Sequence, residues 1–154
     1  MLKIRNEQSR PFQPQAEDAF VNRVMEYLRK NHHDTEVYLP ESKNIKVADL
    51  SDALLREMVS GGVNRARVYE INWASNLISF VVLMFIAAPN FDEAEKVKEV
   101  LLDEKIEVEK RIDKLLARLT DHDWEKIAKT YSAKAWQLPM REAEIMEEVY
   151  ERTV

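Results

Sequence analysis

Leu77 to Ala88 reads LISFVVLMFIAA, twelve residues without a charge in which only Ser79 is polar. Such a run has to leave water, yet it is too short to cross a hydrocarbon core, which takes about 20 residues as helix. Its burial must therefore come from the rest of the chain. Phe80-Val81-Val82 is β-prone, but no turn signal interrupts Ile71 to Ala88, and Pro89 closes the run. Length and continuity favour helix. The expectation is an all-α single domain over 1–154, a bundle of six or seven helices around a buried central helix at roughly 72–88 that is apolar on every side after Ser79.

Glycine sharpens that expectation. Only Gly61 and Gly62 occur in 154 residues, so Gly-rich phosphate loops and glycine-dependent tight hairpins are nearly excluded. With no cysteine there is neither a disulfide framework nor thiolate chemistry. The opening MLKIRNEQSRPF lacks the apolar core of a secretory signal, and a cytoplasmic protein is expected. Net charge is −5, and residues 92–154 carry all of the excess, with 12 basic against 17 acidic groups. A negative surface repels phosphate, which argues against nucleic acid and anionic membranes as main partners.

Along the chain, Phe20, Val24, Tyr27 and Leu28 share one face of a first helix running from after Pro14 to about Lys30. Residues 35–48 read as a loop with a short extended piece at Val37-Tyr38-Leu39. A second helix starts at Asp49 or Ser51, both good N-caps, and Gly61-Gly62 is expected to end it. Asp92, with Glu95 three residues on, reads as the cap of a helix to about Leu102. Another helix, or a kinked continuation of that one, spans Glu104 to Leu119. Asp121 or Asp123 then caps a helix through Trp136, with Trp124, Ile127, Ala128 and Tyr131 inward. Pro139 suits N1 of a last, loosely docked helix over 139–154.

Candidate chemistry is sparse. His32 and His33 are adjacent, so on a helix they diverge by about 100°, and His122 lies in a distant turn. A small metal-dependent hydrolase using His122 with Asp121 or Asp123 is one alternative, although no ligand spacing demands it. Carboxylates such as Glu107 and Glu109 interleave with Lys and Arg as on a solvated face. Asp49 to Tyr69, with Arg65 and Arg67 after the glycines, resembles a helix-turn-helix and makes a nucleic-acid binder the other alternative. Asn72, Ser75, Asn76 and Ser79 form a stripe of small polar groups, either satisfied at a close helix contact or the floor of a polar groove. In the tail, Met146, Val149 and Tyr150 line an apolar face flanked by Glu147 and Glu151. Carboxylates near a helix C-terminus oppose the macrodipole, so this segment needs a docking surface and is a candidate partner contact. No catalytic residue, metal ligand or cofactor is assigned.

Several short stretches carry a resemblance: Ile4-Arg5 with Glu7-Gln8, Leu55-Arg56, Gly62-Val63 with Arg65-Ala66, Tyr69 with Ile71, Leu83-Met84 and Asn90-Phe91-Asp92. Together they resemble a group of small uncharacterised all-helical bacterial proteins associated with type VI secretion gene neighbourhoods. The resemblance implies an accessory role as an adaptor, chaperone or immunity protein, and it implies no active residue. The expected function is binding to another protein without catalysis, with self-association left open.

Overall fold

The structure, a computed structural model, describes residues 14–40 and 43–137. These residues are mostly helical. They form α1 (Pro14–Asn31), a hairpin of β1 (Glu36–Leu39) and β2 (Lys43–Lys46), then α2 (Asp52–Arg67), α3 (Ala74–Ile86), α4 (Glu95–Leu101), α5 (Val108–Arg118) and α6 (Asp121–Lys129). Short 3-10 turns stand at Val47–Asp49, Phe91–Glu93 and Ala133–Trp136. The helix expected over 139–154, with Met146, Glu147, Val149, Tyr150 and Glu151, lies outside the described residues.

α3 holds the centre. Leu77, Phe80, Val81, Met84 and Phe85 are buried on it, and it packs against α2, α5 and β1. Phe80 packs against Phe91 in a tilted arrangement at 4.9 Å between ring centroids, and Phe85 against Trp136 at 4.9 Å. One expectation fails on this helix. It is not enclosed on every side, because Val82 is only half-buried and Ile86 is 48% exposed. α1 turns Phe20, Val24 and Leu28 inward as its spacing predicts, whereas Tyr27 points out and packs on His32.

The glycines do something other than end a helix. α2 passes straight through Gly61 and Gly62, neither of which has a positive φ. A Cβ on Gly62 would sit 3.1 Å from Met84 Sδ and 3.1 Å from Val81 Cγ2, and one on Gly61 would sit 3.3 Å from the Trp136 carbonyl. The glycines therefore let α2 approach α3 and the 133–136 turn closely. The left-handed residue falls instead at Glu70, φ 63°, after the helix has ended. Ser51 does cap α2, its hydroxyl accepting from the Leu54 N–H at 3.1 Å. Arg29 ties the end of α1 to this start through the Leu50 carbonyl at 3.0 Å and the Asp52 carboxylate at 2.7 Å.

Residues 35–48 carry more structure than a loop. β1 and β2 pair antiparallel with Leu39 opposite Lys43, and Val37 and Leu39 enter the core. The outer edge of β1 is closed by side chains. The Tyr131 hydroxyl accepts from the Tyr38 N–H at 2.9 Å, and the Trp136 indole donates to the Tyr38 carbonyl at 3.2 Å. Burial raises the Tyr131 hydroxyl pKa, which keeps it protonated and able to donate in turn.

Three further boundaries move. Asp92 is not a cap: it is buried in the 91–93 turn, and Ala94 precedes α4 without a side-chain cap. α5 begins at Val108, not near Glu104, and Arg111 reaches back to donate to the Leu101 and Ile106 carbonyls. α6 stops at Lys129, and its cap is Thr120, with Asp123 as the reciprocal partner. Ala128, expected inward, is exposed.

Candidate functional site

The outer end of α3 meets α5 and α6 in an open trough of about 490 Å³. Leu83 and Ile86 come from α3 and Ala87 from the position just past its end, Leu116 from α5, and Trp124 and Ala128 from α6; the exposed Asp121 and Glu125 complete the lining. α3 and α5 run side by side in the same direction here, because the Asn76 amide donates to the Glu109 carbonyl at 2.9 Å while Leu116 lies beside Leu83 and Ile86 further along. Ile86 and Leu116 remain 48% and 47% exposed. Each leaves apolar area in water that packing against another surface would remove at about 25 cal/mol per Å².

α6 is held firmly in place. The Thr120 hydroxyl accepts from the Asp123 N–H at 3.2 Å, and the Asp123 carboxylate accepts from the Thr120 N–H at 2.9 Å, satisfying two otherwise orphan donors. Lys96 on α4 adds an ion pair to Asp123 at 2.7 Å. Lys96 first, and then the Thr120 N–H, hold the Asp123 carboxyl down at about 2. Asp121 and Glu125 differ from Asp123. Both are exposed, and among the described residues neither has an ion pair or a side-chain hydrogen bond. Set four apart on one helix, they repel each other by a few tenths of a kcal/mol.

The residues singled out from sequence fall in separate places. His122 is exposed at the start of α6, while Asp123 is committed to the cap and to Lys96. His33 faces Asp34 at 3.3 Å, and His32 packs on Tyr27. Among the described residues no three His, Asp or Glu side chains are grouped to hold a metal ion. Of the polar stripe, Asn72 precedes α3 and donates to the Glu70 carbonyl at 3.3 Å, Asn76 is the buried link to α5, Ser75 is exposed and Ser79 half-buried. The stripe and the trough are one seam: Asn76 and Ser79 continue at helical spacing into Leu83 and Ile86. The polar half is partly consumed in holding α5, and the apolar half stays open.

Arg65 and Arg67 lie on a continuous helix with no turn between Asp52 and Arg67, which removes the helix-turn-helix geometry at the glycines. Both guanidiniums face carboxylates. Arg67 pairs with Glu17 at 3.0 Å. Arg65 Nε meets Asp92 at 2.8 Å, its NH2 meets Glu93 at 2.7 Å, and the Tyr69 hydroxyl donates to the other Asp92 oxygen at 2.6 Å. Burial alone would lower the Arg65 pKa, but Asp92 and Glu93 hold it up. Burial first, and then the hydrogen bond to Asp92 and its charge, raise the Tyr69 hydroxyl well above the usual phenol range. This cluster clamps α2 to the 91–93 turn. Sequence reasoning missed it because the partners are 23 to 28 residues apart.

No family model, curated protein or solved structure matches the chain. No helix among the described residues is long and apolar enough to cross a membrane.

Proposed function

We propose that this chain is a non-enzymatic protein-binding protein of the cytoplasm, a helical bundle organised on α3 that serves as an adaptor, chaperone or immunity protein. The resemblance to small helical proteins from type VI secretion neighbourhoods fits that role. The observation that carries the reading is the trough: two large aliphatic side chains, Ile86 and Leu116, stand about half out of water beside a half-buried Trp124. Much of the rest of α3 is covered by α2, α5 and β1, so an apolar strip left open on the most apolar helix is a surface prepared for contact. The test compares native-lysate capture on the parent chain and on Ile86→Asp. A protein retained stoichiometrically by the parent and lost from the variant, with thermal midpoints within a few degrees, is the expected result. Equal retention by both would place any binding elsewhere and remove the support.

A further inference from the structure

Resting on that protein-binding reading, we infer that the trough seats an amphipathic helix of a partner protein that carries Lys or Arg beside its apolar stripe. The shape selects a helix. The floor is one helix and the walls are two others, so an added helix can lay its ridges into the grooves between them. The hairpin does not line this trough, which therefore offers no strand edge to an extended peptide. Anchors at i, i+3, i+4 and i+7 are the spacing that would enter it.

Charge selects the sign of the flank. Among the described residues, the only charged ones lining the trough are Asp121 and Glu125, two like charges of which neither has an ion-pair partner among those residues. Asp123, midway between them in sequence, shows the contrast: it is fully engaged by Thr120 and Lys96. Two cationic side chains four apart on an incoming helix would meet the pair along one side of the groove. The same charges argue against other occupants. A second copy docking by a two-fold axis would bring its own Asp121 and Glu125 onto these, and a nucleic-acid phosphate would meet repulsion.

The experiment selects from a displayed library of random 18-residue peptides, unrestricted in conformation, against the full chain. Binding of the enriched peptides is then read by Trp124 emission, with Trp124→Phe as the control for signal from the other tryptophans. Enrichment of basic amphipathic helices is expected. Their affinity should fall about 3- to 10-fold on Asp121→Asn/Glu125→Gln, the size of two exposed ion pairs, and by more than about tenfold on Leu116→Asp, which desolvates a charge under the peptide. The charge-neutralising variant keeps both side-chain shapes and so tests the inference even if Leu116→Asp folds poorly. Acidic, neutral or extended peptides that bind at Leu116 would overturn the choice of occupant while leaving the protein-binding reading intact. Self-association abolished by Leu116→Asp would do the same. Failure to enrich any peptide sensitive to these substitutions would overturn both.

Discussion

Asp92→Ala should be among the most damaging single substitutions in the chain. The Asp92 side chain is 4% exposed and that of Arg65 12%, so removing the carboxylate strands a guanidinium away from water and leaves the Tyr69 hydroxyl without its acceptor. Breaking a buried pair in this way costs about 3–5 kcal/mol. Glu93 gives Arg65 only partial relief, since its own side chain is 58% exposed. Unfolding entropy of about 2.1 cal/mol/K per residue, over 154 residues, converts that loss to a drop of roughly 9–15 °C in thermal midpoint. Differential scanning calorimetry at neutral pH, supported by urea denaturation, reads it directly. The triple variant Arg65→Met/Tyr69→Phe/Asp92→Leu removes every polar member of the buried set at once and should recover most of the loss, because a buried ion pair and an apolar replacement of similar volume are close in energy. If Asp92→Ala stays within about 1 kcal/mol of the parent, the clamp between α2 and the 91–93 turn is not holding the fold. A triple variant worse than the single one would equally refute the reasoning.

Gly62→Ala sets a helix-propensity gain of about 1 kcal/mol against 3.1 Å approaches to Met84 and Val81, and the two should nearly cancel; Gly62→Leu has no room and should cost about 1–3 kcal/mol or more by overpacking. Denaturant midpoints check both, and a Gly62→Leu chain as stable as the parent would show that α2 and α3 are not in close contact there. The third prediction concerns acid. The Asp123 carboxyl titrates at about 2 when folded against an ordinary 3.8, so its ionised form stabilises the fold above about pH 4, and that contribution is lost as pH falls from 4 through 2. Lys96→Met should therefore lower the thermal midpoint at pH 6 and leave it nearly unchanged at pH 2, and an equal loss at both would contradict the Lys96 pairing.

Periodicity and capping fixed much of the local structure before any fold was in view. Phe20, Val24 and Leu28 recur at the helical period and all turn inward, Ser51 caps α2, and Leu77 to Phe85 forms the centre of the core. These signals act within one or two turns of chain, so a linear sequence carries them whole. Gly62 and Asp92 show where that logic stops. By local rules a Gly-Gly pair ends a helix, and an Asp three residues before a Glu caps one. Each was decided by a distant neighbour: Val81 and Met84 pressing on Gly62, Arg65 and Tyr69 drawing Asp92 inward. The trough was hidden for the same reason, since Ile86, Leu116, Trp124 and Glu125 come from three helices and acquire a common surface only when α5 and α6 settle beside α3. A free carboxylate and a neutralised one, such as Glu125 and Asp123, look alike in sequence. They differ by which cation the tertiary packing brings within about 3 Å, and Coulomb attraction falls off with distance in space rather than with separation along the chain.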